Sequence, residues 1–386
     1  MAKKLSDTVT FYHGAKVANR MVQPPMLTNS GLKGAVSDDT LAYYKERSDS
    51  AGMIITEYTY VSENGGPAMT WADDRTQLAS YDDKFLPGLK KLATAMKSHG
   101  NKAILQIAHT GNNANYRAYN GQTVYGPTTA NYDFLPYGVQ GFTTEEAEQV
   151  VKDFGAAAKR AVEAGFDGIE IHGANHYLLQ QFFAKTTNKR SDKWSVGDSF
   201  PMAVVKEVFR VLKECAPKDF IIGYRISPEE INSDGSVGYT WHESTKLVKE
   251  LTDNFDFDYI HLSMANYNDK PKDSDKTFAE LFRPALGDKA KMIIVGNVNN
   301  RTSAREAMKL SDFVAAGRAQ IIDPHFAKKI ISGRITTTKM SKRQEDRAKM
   351  TPGLKEIFDM KTKRPDWSET MSKMDYSKAP EIHLPF

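Results

Sequence analysis

The chain has one cysteine, Cys215, in 386 residues. This excludes an internal disulfide and any centre that needs several thiolates, such as an iron–sulfur cluster or an all-cysteine zinc site. Long apolar runs are missing too. No segment reaches the about 18 uninterrupted apolar residues of a membrane span, and the opening MAKKLSDTVTF places no apolar stretch behind its two lysines. A cytoplasmic protein without a membrane partner is expected. Neither sign of charge dominates, with 52 Lys and Arg against 48 Asp and Glu, and no basic run is interleaved with aromatics. That points away from nucleic acid and towards a small-molecule substrate. Homo-oligomerisation stays open. Two phosphate-binding patterns are also absent: no GxGxxG follows a strand and no GxxxxGK occurs anywhere, which weakens a doubly wound nucleotide-binding sheet.

What the sequence does contain is alternation. Short apolar runs rich in β-branched residues predict strands over 20–26, 52–57, 102–108, 167–172, 220–226, 258–263, 291–296 and 312–317. Segments of helical spacing lie between them, over 37–50, 83–98, 144–164, 202–214, 240–254, 278–286, 302–310 and 324–331. Thr143 and Thr144 followed by Glu145 and Glu146 mark one helix start, because carboxylates favour the positive end of the helix dipole. Eight strands alternating with eight helices predict an α/β fold, a parallel (β/α)8 TIM barrel. It is expected as a single domain over 1–335, with a lead-in hairpin over 8–19 closing the floor and a charged C-terminal extension over 336–386. The segment 109–142, rich in Asn, Gly and Tyr, is a long loop after the third strand, and loops of that length in compact domains are usually functional.

In such a barrel the active site gathers at the carboxyl ends of the strands. Those ends carry polar groups: Gln23, Pro24, Pro25 and Met26; Gln106; His172; Arg225; Gly296 and Asn297; Gly317 and Arg318. An arginine inside FIIGYRI is costly unless an anion or an acceptor meets it, so Arg225 faces either a ligand or a barrel carboxylate such as Glu170. IIVGNV and FVAAGR each end in a glycine followed by a polar residue, the usual phosphate site of these barrels. Glycine lets backbone amides approach an oxyanion, and Arg318 can bind one bidentately. His172, His176 and His261 lack a carboxylate pair at ligand spacing, so no metal is expected. No strand ends in a lysine, which argues against Schiff-base chemistry.

These motifs resemble the Old Yellow Enzyme family of FMN-dependent NADH:flavin oxidoreductases and ene-reductases, over roughly residues 10 to 335. The resemblance rests on Asn19, Arg20 and Gln23 to Met26, on Gln106 in LQIAHTG, on His172, Asn175 and Tyr177, on Asn188, Arg190 and Asp192, on Arg225, on GNV at Gly296 and Asn297, and on AAGR at Gly317 and Arg318. It implies bound FMN, NADH or NADPH as reductant, and reduction of the activated C=C bond of α,β-unsaturated carbonyl compounds in a ping-pong cycle. It further implies Pro25, Met26, Tyr58, Gln106, His172, Arg225, Gly296, Asn297, Gly317 and Arg318 as cofactor contacts. His172 and Asn175 then stabilise a developing enolate oxygen, and the phenol of Tyr177 protonates the α-carbon.

Three departures from the family pattern stand out. Leu27 replaces a hydroxyl or thiol donor beside the flavin C4 carbonyl unless Thr28 substitutes, Tyr58 replaces a small residue after the second strand, and Trp194 followed by SVGDS replaces an aromatic and glycine-rich stretch. Two other functions use part of the same set. A flavin reductase or NADH oxidase needs the flavin site but no dedicated alkene, and a phosphosugar-type barrel enzyme needs only the phosphate site.

Overall fold

In a computed structural model, residues 3–68, 75–133, 135–232, 234–337 and 339–358 are described. Eight parallel strands close into a barrel: β1 (Met21–Gln23), β2 (Met53–Ile55), β3 (Lys102–Ala108), β4 (Gly168–Gly173), β5 (Ile221–Ile226), β6 (Tyr259–Leu262), β7 (Lys291–Val295) and β8 (Phe313–Ala315). Each pairs with the next, and β8 returns to β1 through Val314 opposite Met21. The strands are shorter than their apolar runs at several ends, most of all at β1, where Pro24 and Pro25 cannot donate to a ladder. Beyond β2, Thr59–Tyr60 pairs with Ile107 and Ala108 of β3 and with Leu78–Ala79, a local extension of the sheet that no repeat in the sequence announces.

The helices lie outside the barrel. The longest, Thr144–Glu163, starts as its sequence predicts: Thr143 N donates to Glu146 Oε2 at 2.8 Å and Glu146 N donates back to Thr143 Oγ1 at 3.1 Å. It buries Ala147, Val150, Phe154, Ala157, Ala158 and Ala161 on one stripe, a spacing of three and four that places one face on the barrel. Two short helices, Leu178–Phe183 and Arg318–Ile322, follow directly on strand-end motifs and were not expected.

Inside the barrel, side chains two residues apart on a strand point the same way. The lower interior is apolar: Val22, Met53, Ile104, Ile221, Ile293 and Phe313 meet there, capped by the hairpin Val9–Thr10 with Lys16–Val17. Phe11, at the hairpin tip, stacks on Phe313 with ring centroids 5.2 Å apart. The long segment 109–142 has structure of its own, with a helix over Asn115–Tyr119 and a small sheet formed by Tyr125–Gly126, Ala130–Asn131 and Gly138–Gly141. Arg190 braces it, donating to Phe142 O and Pro127 O and pairing with Asp192 at 2.6 Å.

The described part of the extension lies on the barrel. Thr351 Oγ1 donates to Thr28 O at 2.6 Å, and fully buried Arg47 donates to Ala348 O at 2.9 Å and to Ile321 O at 3.0 Å. Residues 359–386 of the extension lie outside the described residues. Among the described residues, no helix is long and apolar enough to cross a membrane.

Candidate active site

One step above the apolar floor, the interior becomes polar. From Ile104 the next inward residue on β3 is Gln106; from Gly168 on β4 come Glu170 and His172; from Ile221 on β5 come Gly223 and Arg225; from Tyr259 on β6 comes His261. Register joins them, with Glu170 opposite Gln106, His172 opposite Arg225, and Arg225 opposite His261. Gly223 is required here, since a Cβ would lie 2.1 Å from the Tyr259 ring.

Glu170 is the hub. Its Oε1 accepts from Gln106 Nε2 at 2.7 Å, and its Oε2 lies 2.9 Å from His261 Nδ1. Burial works against its charge, but His261, Arg225 and the Gln106 amide outweigh it and hold the carboxyl below the ordinary range. Arg225 is therefore not the direct partner of Glu170. Its Nε is buried with no partner among the described residues, as are His172 Nδ1 and Gln23 Oε1. Buried polar atoms without partners are expensive and mark where a ligand completes the site. Burial lowers the Arg225 pKa and Glu170 offsets part of that, yet a guanidinium keeps its charge in a protein. Burial, then the charges of Arg225 and His261, drive the His172 imidazole well below its ordinary value, so it is neutral.

Beyond β4 the chain turns through Asn175 and His176, both at φ 57°. This left-handed backbone is disfavoured for side chains larger than glycine, although asparagine and histidine tolerate it better than most. It is held in place: Asn175 N donates to Ser227 Oγ at 2.9 Å, and Ser263 Oγ donates to Asn175 Oδ1 at 2.7 Å. With its oxygen accepting from Ser263, Asn175 keeps its NH2 as a donor. The Tyr177 ring stands edge-on to His172, with centroids 5.1 Å apart. On its other side it meets Tyr58, also at 5.1 Å and at 88°. Burial raises the Tyr177 phenol above its ordinary pKa. His176 is half-exposed and pairs with buried Glu230 at 3.3 Å.

At the opposite rim, Gly296 has φ 129°, and a Cβ there would lie 2.7 Å from the backbone of Ala265. Asn297 follows in the left-handed region at φ 49°. A Cβ on Gly317 would lie 2.8 Å from Met26 Sδ, so the exits of β8 and β1 are packed together. Arg318 follows directly on Gly317. These features fit an FMN: a glycine-lined rim with an arginine for the phosphate, and Gln106, Arg225 and Gln23 as polar partners for the ring.

Several participants were missed in the sequence. Ser227 and Ser263, which orient Asn175, carry no motif, and His261 was weighed only as a metal ligand. Counting two residues back from Ser263 and from His172 reaches His261 and Glu170, a signal available once the register is known. Glu57, in the run MIITEYTYV, is fully buried; its Oε2 accepts from Thr28 N at 2.7 Å, and burial lifts its pKa to about 8. Thr28 does not replace the donor lost at Leu27, because its hydroxyl is shared with Ser30 at 2.7 Å and with Glu57.

A sequence profile of the NADH:flavin oxidoreductase / NADH oxidase family matches residues 10–337. The chain is 37% identical over 341 residues to the "Probable NADH-dependent flavin oxidoreductase YqiG" of Bacillus subtilis, covering 86% of this chain and 89% of that one. It is 34% identical over 371 residues to the NADH:acrylate oxidoreductase of Vibrio harveyi, covering 92% of this chain but only 36% of that longer protein. In fold it is similar to morphinone reductase in complex with tetrahydroNAD, with TM-score 0.72, 24% identity, and coverage of 91% of this chain and 97% of that one.

Proposed function

The chain belongs to the NADH:flavin oxidoreductase / NADH oxidase family, the Old Yellow Enzyme family, and from that premise we propose that it reduces the activated C=C bond of α,β-unsaturated carbonyl compounds. It is an NAD(P)H-dependent flavin oxidoreductase whose cofactor is FMN. When bound, FMN accepts electrons from the nicotinamide and passes them on to a second substrate.

The observation that carries the reading is the convergence of His172, Asn175 and Tyr177. Adding hydride to the β-carbon of an enone puts negative charge on its oxygen. Neutral His172 and the NH2 of Asn175 are the donors for that oxygen, and the bond from Ser263 occupies the Asn175 Oδ1 acceptor. Tyr177, against His172, supplies the proton to the α-carbon. Arg225 and Gln106 bind the ring of the cofactor, with Pro25, Met26 and Tyr58 beside it, and Gly296, Asn297, Gly317 and Arg318 take its phosphate. The acrylate named for the Vibrio relative contains the same kind of bond, a C=C conjugated to a carbonyl. The barrel over 1–335 is the catalytic unit, and the described part of the 336–386 extension packs on it.

Stopped-flow measurement of the two half-reactions tests this with a cyclic enone. Tyr177→Phe should leave flavin reduction by NAD(P)H nearly intact and slow re-oxidation by the enone about 100-fold, the size of a lost general acid. Equal re-oxidation rates would remove Tyr177 from its role. Negligible enone turnover by the wild type would favour a flavin reductase or oxidase.

A further inference from the structure

Part of the cofactor rim is formed by two elements that are far apart in sequence and adjacent in space: the loop after β1, with Pro25 and Met26, and the short helix Arg318–Ile322 after β8. They meet where Gly317 lies against Met26. Both are also bonded to a third place, the segment 344–355 of the C-terminal extension. Arg47 makes the first tie. It follows the helix Asp38–Glu46 as its C-cap, is fully buried, and lies over the Tyr43 ring at 3.5 Å. Its guanidinium donates to Tyr43 O at 2.8 Å, to Ala348 O at 2.9 Å and to Ile321 O at 3.0 Å. Each oxygen belongs to the last turn or the cap of a different helix, where carbonyls lack an intrahelical partner and carry partial negative charge. One buried cation thus joins three helix ends, and Ala348 is the extension's share. Gln344 Nε2 adds a bond to Ile322 O at 2.6 Å, so the helix that begins at Arg318 is capped by two side chains.

The loop after β1 is tied by the next turn of the same segment. Thr351 Oγ1 donates to Thr28 O at 2.6 Å and accepts from Leu354 N at 3.1 Å, so one hydroxyl serves both the loop and the start of the helix Pro352–Phe358. Gly353 lies against Asn29 so closely that a Cβ would stand 2.2 Å from Asn29 O and 2.4 Å from Asn29 Cβ. Asn29 is itself in the left-handed region at φ 45°, a backbone that persists where its surroundings hold it. Ala348, Thr351 and Leu354 are buried. None of these bonds reaches a residue assigned to the cofactor.

We propose that segment 344–355 is a clasp on the cofactor rim, with Arg47, Thr351 and Gly353 as its positioning residues: it fixes the loop after β1 and the helix of Arg318 in the relative placement that receives FMN. The inference rests on the reading of that rim as the FMN site. Coupling between two binding events is reciprocal, so whatever factor docking of the segment adds to FMN affinity, bound FMN adds to docking. A segment that only covered apolar surface would dock equally well with and without FMN.

Hydrogen exchange, read by mass spectrometry on the full chain without FMN and saturated with it, tests the coupling. The amides of Ala348, Met350 and Lys355 bond to Gln344 O, Glu345 O and Thr351 O within the segment and report its docking. In the apoprotein they should exchange well ahead of β1 and β8, which shows that the segment opens by itself. FMN should slow them roughly 5- to 150-fold, the usual range of coupling between two sites. Gly353→Val, which sets a side chain against Asn29, should speed their exchange in the apoprotein and weaken FMN by a factor of the same size, with the hairpin at the floor exchanging as in wild type. Thr351→Val, which removes the hydroxyl alone, repeats the comparison with a milder change should Gly353→Val not fold. Exchange of the segment only together with the strands, or at a rate that FMN does not change, would overturn the proposal, as would a variant that frees the segment and still binds FMN as tightly as wild type. Arg225→Leu and Arg318→Ala run alongside separate the two levels. If neither weakens FMN, the reading of the cofactor site fails; if they weaken it while exchange of the segment ignores FMN, only the clasp falls.

Discussion

The floor and the mouth of the barrel are built from the same strands and are chemical opposites. At the floor, Met53, Ile104, Ile221, Ile293 and Phe313 pack against the hairpin, and their side chains carry no hydrogen-bonding nitrogen or oxygen. Two residues further along, Ile104 gives way to Gln106, and beyond Ile221 and Gly223 stands Arg225. The floor gains apolar burial, about 1.5–3 kcal/mol per large side chain. The mouth carries buried polar atoms without partners among the described residues, in His172, Arg225 and Gln23, a cost that a ligand is placed to offset. Stability and chemistry are thus separated along the strand direction, a few ångströms apart.

A pair of variants tests that separation with the largest effects. Phe313→Ala, at the floor, should lower the unfolding free energy of the apoprotein by about 3–5 kcal/mol with FMN affinity unchanged. Glu170→Leu, at the mouth, should lower it by a similar amount, about 3–5 kcal/mol, because removing one member of a buried charged network leaves the rest unpaired. It should also weaken FMN, since Gln106 loses its tether. Denaturant unfolding and flavin titration read both quantities. A loss of FMN affinity in Phe313→Ala would break the comparison.

Arg318→Ala should have a smaller effect, confined to the rim. Losing one charge-assisted interaction with the phosphate weakens FMN by about 1.5–3 kcal/mol, roughly 10- to 150-fold in Kd, with the midpoint of apoprotein unfolding unmoved. Unchanged affinity would place the phosphate on the backbone amides alone and sharpen the view of Gly296 and Gly317 as the essential rim.

The barrel was legible because its signal is local and repeated eight times: β3 matches its predicted bounds, and the other strands lie within their apolar runs to within a residue or so. The candidate site was legible in part because barrel topology sends strand ends to one place, so that Gln106, His172, Arg225, Gly296 and Gly317 could be gathered without knowing any distance. Pairing was not legible. The sequence left Arg225 and Glu170 as possible partners, whereas Glu170 bonds to Gln106 and His261; choosing among them needs the register across β3, β4 and β6. Nor were the bonds of Tyr58, whose hydroxyl donates to Gln77 Oε1 at 2.6 Å and accepts from Ala68 N at 2.7 Å in a segment with no periodic pattern. The short helix Leu178–Phe183 was hidden because its N-cap, Tyr177, makes no capping hydrogen bond through its side chain.

The smallest expected effect lies at Leu27, where the mouth departs from its own rule by presenting an apolar side chain next to the exit of β1. The resemblance to the family puts a hydrogen-bond donor at this position, beside the flavin C4 carbonyl, and leucine cannot donate. The adjacent hydroxyl does not compensate, because Thr28 turns it to Ser30 and Glu57 within the wall of the barrel. Leu27→Thr should restore the donor. A donor near that carbonyl stabilises the reduced ring, which is richer in electrons, more than the oxidised ring, so the two-electron midpoint potential should rise. One neutral hydrogen bond of about 0.5–1.5 kcal/mol corresponds to roughly 10–30 mV. Equilibrium reduction against a dye of known potential resolves such a shift. The sign matters more than the size: a fall would mean that the leucine site is not adjacent to a carbonyl that gains charge on reduction, and an unchanged value would mean that a backbone amide or a water already donates there.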